Sequence, residues 1–546
     1  MQIKVVIVLL LFTFSSASSK GQEINKPKLV VGIVVDQMKA EYLYRFQDNY
    51  TEDGFKRLMR EGFNVKNTHY NYIPTATGPG HTSIYTGTTP TNHGIVSNNW
   101  YKKALGRTIY CVEDTTAFLV GNLGVDKTSI YNDYQRSPKN IQTSTITDEL
   151  KLFSNGCSKV TGLSIKDRGA ICPAGHLADA AYWYNAFNGN FVTSTYYRNT
   201  LPKWLKDFNT SKKADSLLNL TWNPLLPMVK YTHSEKDDAV FEKIFKGRKK
   251  AVFPYNLKKL RKQNGDFALL TGTPFGNTLL TQMAEATVLG EHIGQGDQTD
   301  FLTISYSSTD YVGHHFGIRS KELEDIYVRL DRELSQLLTF LDDTIGKENY
   351  LLFLTADHAA SDNPVFLNEK RLPGKFFDSR KLKEDLNVHL SKKFGNADYV
   401  AFIDKTQVYI NDTKTSKEMI LKEALNFLVT IEGIKDAFAP ALKNQPLDNS
   451  TIGLFIKNSY NPKESGDILY QTCSGWMERR NFGTTHGTSY TSDTHVPLLW
   501  YGWNIPKGES SVMKHTITQI APTLSMLLDI PLPNASNNNP ILELFK

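Results

Sequence analysis

The chain has 546 residues, 40% of them hydrophobic and 22% charged, ordinary proportions for a globular protein larger than one usual domain. Its formal net charge of +6 is spread without a long basic block, which argues against nucleic acid as the main partner. Cys111, Cys157, Cys172 and Cys473 lack zinc-ribbon spacing and are expected as buried thiols or as up to two disulfides.

In chain order, Lys4, the apolar run VVIVLLLFTF and the small residues SSASS form the pattern of a secretory signal over residues 1–20, followed by a mature chain over 21–546. The run is too short for an ordinary membrane span, and no later segment approaches that length. The expectation is an exported protein, periplasmic or secreted, without a membrane span. The first strand-like run is LVVGIVV at 29–35, and similar runs lie at 159–165, 300–306, 349–355 and 496–501. Continuous apolar runs of this length suit parallel strands buried on both faces.

Between them, residues 320–345 trace one helical face through Leu323, Ile326, Tyr327, Leu330, Leu334, Leu337, Leu338 and Leu341, with Ser320 as cap and Gly346 as terminator. Strands alternating with helices predict an α/β fold with a mostly parallel central sheet and helices on both faces. Residues 173–265 and 365–480 fit this alternation poorly and are expected as insertions forming a smaller cap beside the catalytic core. The stretch NASNNNP at 534–540 reads as a polar loop.

Open α/β sheets bind ligands beyond the carboxyl ends of their strands. Asp36 follows the first run, Asp310 and His314 follow 300–306, and Asp357 and His358 follow 349–355. His486 lies in GTTHGTSY, flanked by glycine and small residues. Each alone has a plain structural role open to it, such as a helix cap for Asp36. Their joint occurrence is what points to a site. Mixed Asp/His ligands suit two zinc ions, and a hydroxyl beside such a pair makes a nucleophile for hydrolysis of an esterified oxyanion.

In PTATGPGHTSIYTG, Gly78, Pro79 and Gly80 allow a tight turn into a helix expected to begin near His81. A helix N-terminus favours an anion. Thr77 would stand there, with Thr75 as the other candidate hydroxyl and Asn98 as an amide donor. His81 and His93 read as structural. Lys166 and Arg168, in GLSIKDRGA after a strand-like run, carry two positive charges that a solvated loop would equally accommodate.

The segments VVDQM, TGPGHTSIYTG, GIVSNNW, SIKDRGA, SSTDYVGHHFG, LTADH and THGTSY run in order along the chain. Together they resemble the alkaline phosphatase superfamily, and more closely its bacterial branch of single-chain, secreted, phosphate-irrepressible alkaline phosphatases. The resemblance implies an alkaline-phosphatase-like core and two Zn2+ per chain. One ion would be held by Asp310, His314 and His486, the other by Asp36, Asp357 and His358 with the Thr77 hydroxyl. It selects His314 over the adjacent His315 and His486 over His495.

It further implies that Thr77 attacks phosphorus to give a phosphothreonine, and that Asn98, Lys166 and Arg168 contact the transferred phosphoryl group. A monoester dianion offers two charges to that cationic pair, whereas a diester carries less charge and a second organic group. The expectation is hydrolysis of small phosphate monoesters with release of inorganic phosphate, by a monomer. Phosphodiesterase or nucleotide pyrophosphatase chemistry on the same scaffold is the alternative, and a non-catalytic phosphate-ester binding protein a more remote one. A sulfatase is disfavoured because position 77 is neither Cys nor Ser.

Overall fold

The computed structural model describes residues 26–121, 135–442, 447, 450–480 and 482–545. The expected signal segment, 1–20, lies outside the described residues. Five strands carry the centre of the fold: β1 (Leu29–Val35), β2 (Val160–Ser164), β3 (Asp300–Tyr306), β4 (Tyr350–Thr355) and β5 (Leu498–Gly502). They lie in the order β5-β4-β1-β3-β2 within a ten-stranded sheet. Residues of β1, β3 and β4 are buried throughout, as their unbroken apolar sequences require of strands covered on both faces.

β4, β1, β3 and β2 run parallel, and their registers coincide: Val34 pairs with Ser305 on one side and with Thr355 on the other. The strands therefore release Asp36, Asp310 and Asp357 over one edge of the sheet. β5 runs antiparallel to β4, with Leu498 opposite Thr355. The chain carrying His486 is already at the carboxyl edge, so it can enter the sheet only from that side, in the reverse direction.

The central helices follow the sequence pattern with one shift. α1 (Thr77–Thr86) starts four residues before the expected His81, with Ala76 extended as its N-cap. Pro79 falls in its first turn, where no intrahelical N–H is needed, so proline starts this helix instead of delaying it. α2 (Asp167–Ala174) follows β2, and α3 (Ser308–Phe316) follows β3. α4 (Lys321–Thr344) buries the expected leucine face, the Leu323 N–H donates to Ser320 Oγ at 3.1 Å, and Gly346 follows the helix at φ +98°.

The stretch 173–265 does not stand wholly apart from the core. Its strands Ala180–Asn185 and Asn190–Ser194 extend the central sheet beyond β2. The first is buried along its whole length, and its aromatic sequence AAYWYN packs as a strand would. Within 365–480, a four-stranded sheet (Val400–Asp404, Gln407–Ile410, Ile468–Thr472, Ile434–Phe438) carries helices Ser379–Phe394 and Lys417–Leu428. It closes on its own apolar cluster, which includes Leu386, Val408, Leu428 and Ile468. All four cysteines are free: Cys111 and Cys172 buried, Cys473 partly so and Cys157 exposed. Thiols, not disulfides, are the outcome. Among the described residues no helix is long and apolar enough to cross a membrane.

Candidate metal centre

Two triples of ligand-type side chains meet at the carboxyl edge of the sheet. Asp310, His314 and His486 form one; Asp36, Asp357 and His358 form the other. In the first, His314 Nε2 lies 3.1 Å and His486 Nε2 3.9 Å from Asp310 Oδ1. In the second, His358 Nε2 is 3.5 Å from both Asp36 Oδ1 and Asp357 Oδ2. The two are neighbours, since the rings of His358 and His486 stack at 3.5 Å between centroids.

The backbone orients all three imidazoles. His314 Nδ1 donates to Thr484 O at 2.7 Å, His486 Nδ1 to Thr75 O at 2.6 Å, and His358 Nδ1 to Ala359 O at 3.0 Å. Each bond leaves Nε2 as the free lone pair aimed at the triple, the tautomer a metal requires. Burial pushes His314 and His358 down to about 4, so both are neutral at ordinary pH. Burial, then the neighbouring His358, depresses His486 as well. Burial and the charge of Asp36 push the Asp357 carboxyl well above the usual range.

The residues fit cations. Asp36 Oδ1, Asp357 Oδ2 and His358 Nε2 are buried without any hydrogen-bond partner, and these are the three atoms that face one another. Buried polar atoms are almost always satisfied, and three convergent acceptors with Asp/His chemistry match a borderline divalent ion such as zinc.

Thr77 stands at the start of α1 and lines a cleft with Asn98, Arg168, Asp310, His314 and His486. The Gly78 N–H donates to Asn98 Oδ1 at 2.7 Å, which holds Asn98 at the cleft with its NH2 group left to donate. Arg168 Nη2 lies 3.4 Å from Thr77 Oγ, and its Nη1 donates to the Tyr110 hydroxyl at 2.9 Å. That hydroxyl in turn donates to Asp167, which Arg136 also pairs at 2.6 Å. Gly80 lets α1 approach: a Cβ there would lie 2.2 Å from the Asp357 carbonyl.

Lys166 is placed differently from its partner. It is buried beneath the cleft, and its ammonium lies 2.6 Å from Asp36 and 2.6 Å from Asp310, one carboxylate of each triple. Despite the cost of burial, Asp310 and Asp36 hold it above its ordinary range. Thr75 points its hydroxyl to Thr488 O at 3.2 Å. His81 bridges Thr77 O and Ser305 Oγ, and His93 bonds Ser83 Oγ. His315 pairs with Lys243, and His495 stacks on His69; neither joins a triple.

Sequence reasoning missed several neighbours. Gln37, at φ +66°, donates from Nε2 to Asp310 Oδ1 at 2.6 Å and from its backbone N to Asp357 Oδ1 at 3.2 Å. Its position directly after Asp36 was the available signal. Lys405 and Arg480, both on the cleft wall, come from the 365–480 stretch and stand in no motif.

A family model described as type I phosphodiesterase / nucleotide pyrophosphatase matches residues 30–489. Alkaline phosphatase PafA of Elizabethkingia meningoseptica is 41% identical over 534 residues, covering 96% of each chain. Alkaline phosphatase PhoV of Synechococcus elongatus is 41% identical over 533 residues, 96% of this chain and 94% of its own. A Myroides odoratus protein named calcium-transporting ATPase is 42% identical over 550 residues, 98% of each. The crystal structure of wild-type PafA superposes with a TM-score of 0.90 at 40% identity, covering 95% of this chain and 99% of that one. The chain thus belongs to the type I phosphodiesterase / nucleotide pyrophosphatase family of the alkaline phosphatase superfamily, and over 96% of its length it is similar to alkaline phosphatase PafA.

Proposed function

We propose that the protein is an alkaline phosphatase that hydrolyses small phosphate monoesters through a phosphothreonine on Thr77. The observation that carries this reading is the Thr77 hydroxyl at a helix start, beside Arg168 and at the mouth of two convergent Asp/His triples. Asp310, His314 and His486 would hold one metal, and Asp36, Asp357, His358 and the Thr77 hydroxyl the other. Two zinc ions, when bound, would supply Lewis-acid charge to the attacking and departing oxygens.

The chain's own residues do the rest. The Arg168 guanidinium and the Asn98 amide donate to the non-bridging oxygens and fix the phosphoryl group for in-line attack. Thr77 Oγ, losing its proton to solvent, forms its bond to phosphorus as the bond to the leaving oxygen breaks and that oxygen takes a proton from solvent. Water then cleaves the threonine ester to release phosphate and restore the hydroxyl. Lys166, clamped between the triples, keeps a positive charge between them, which favours a dianionic group over a diester. The matching family model is described by diester chemistry, so phosphodiester hydrolysis is the second reading. We further assign the protein to the periplasm or exterior, acting as a monomer.

Rapid acid quenching with a labelled aryl monoester tests the intermediate. Label should appear on the peptide containing Thr77 and vanish in Thr77→Ala, with activity down about 10³-fold or more. Label retained in that variant would move the nucleophile to Thr75.

A further inference from the structure

Away from the cleft, three carboxylates converge where the segment 231–255 packs on the first turn of α4. Asp237, Glu242 and Glu322 offer oxygens that all lie within 4.8 Å of one another. Glu322 is 0% and Glu242 6% exposed. Each glutamate spends one oxygen on the protein: Glu242 Oε2 accepts from the Ala239 N–H at 2.9 Å, and Glu322 Oε1 from the Tyr255 hydroxyl at 2.5 Å. The other oxygens, Glu242 Oε1 and Glu322 Oε2, are buried with no partner, as is Asp237 Oδ1. The ammonium of Lys321, next along from Glu322, bonds the Tyr231 carbonyl at 3.0 Å instead.

Three carboxylates this close repel strongly and demand either protons or a cation. One anchored and one free oxygen on each glutamate is the arrangement of preorganised ligands, with fixed outer contacts and inner lone pairs converging. We propose that Asp237, Glu242 and Glu322 form a third cation site, distinct from the two triples, that takes a hard divalent ion of the calcium class. The all-oxygen set excludes the imidazole and thiolate that zinc favours. Calcium accepts several carboxylates in irregular geometry, whereas magnesium keeps most of its water and a strict octahedron, which a buried carboxylate cluster does not accommodate.

The placement gives the ion a structural consequence. The Lys243 N–H donates to His315 O at 2.8 Å, and Phe245 and Tyr255 pack on Phe316. The segment fastened by the ion therefore backs the end of α3, the helix that presents Asp310 and His314. Glu242 and Glu322 are positioning residues in this scheme.

The test uses the full chain with zinc held in excess and terbium as the calcium probe. Tyr255 touches Glu322, and Trp222 packs against Tyr255 at 5.4 Å, so terbium in the site should emit when these rings are excited. We expect saturable emission at one ion per chain, displaced by calcium but not by equal magnesium, and a calcium-dependent rise in Tm. Asp237→Asn should weaken terbium binding about tenfold or more, and Glu242→Gln with Glu322→Gln should abolish it together with the Tm response. Wild-type protein showing neither emission nor a calcium effect on Tm would overturn the site and leave shared protons as the neutralising device. Emission unaltered in Asp237→Asn, the less buried change should the double variant fail to fold, would equally overturn it.

Discussion

Lys166 and Arg168 are two residues apart, yet they serve different surroundings. Arg168 reaches the cleft beside Thr77, braced by Tyr110, Asp167 and Arg136. Lys166 lies below, shared by Asp36 and Asp310. Charge-assisted donors in a dry site are worth about 10²–10³-fold each in rate. Replacing both by Ala should therefore cost a monoester far more than a diester with the same leaving group, as read from kcat/KM for each. Equal losses on the two would make the pair structural. The ligand-type carboxylates were legible from the sequence because a buried parallel strand is an unbroken apolar run, so the polar residue ending it marks the sheet edge. His486 had no such strand before it, and only the family resemblance separated it from His495. Lys405 and Arg480 could not be read at all, since tertiary packing alone brings them to the cleft.

The registers of β1, β3 and β4 explain why three distant segments deliver ligands at one level. α2 must hold Arg168 at its start, and the turn after its other end is fastened by Asp148. One Asp148 oxygen accepts the backbone N–H groups of His176 and Leu177, and the other meets His176 Nδ1 at 3.0 Å and the Thr145 N–H at 2.9 Å. Asp148 is 2% exposed, so Asp148→Ala should destabilise by about 2–3 kcal/mol, measured by denaturant unfolding. Burial opposes protonation of His176, but the hydrogen bond and charge of Asp148 prevail and raise its affinity for a proton. That stabilisation is fully present below the ordinary histidine value of about 6.5 and is lost as pH rises through the raised value. The Tm difference between wild type and His176→Gln should accordingly shrink as pH rises; a difference that grows would contradict the pairing. The start of α1 was placed too late from sequence because Gly78, Pro79 and Gly80 read as a tight turn ahead of the helix, whereas they form its first turn.

Across the molecule, a buried parallel core sets the cleft floor, and the first hairpin of the separate four-stranded sheet brings Lys405 to its wall. Arg480 reaches that wall just after the strand Trp476–Glu478, which pairs with Lys375–Phe377 in a two-stranded sheet. The core was readable through its unbroken apolar runs and the leucine face of α4. The extension of the sheet by Ala180–Asn185 and Asn190–Ser194 was not, because short aromatic strands amid polar loops carry little periodic signal. Clustered buried carboxylates and orphaned acceptors in the second triple tie stability to metal: stripped protein should unfold at lower temperature, and zinc should restore both Tm and turnover. Turnover unaffected by verified metal removal would exclude a metal role for either triple.

Rates on a matched aryl phosphate monoester and diester, taken on one sample whose metal content is measured, bear most directly on the assignment of a two-metal phosphomonoesterase. The expected result is two zinc ions on the paired triples, a kcat/KM for the monoester well above that for the diester, and loss of both activities on chelation. A diester turned over faster than the monoester by the same zinc-loaded sample would contradict it.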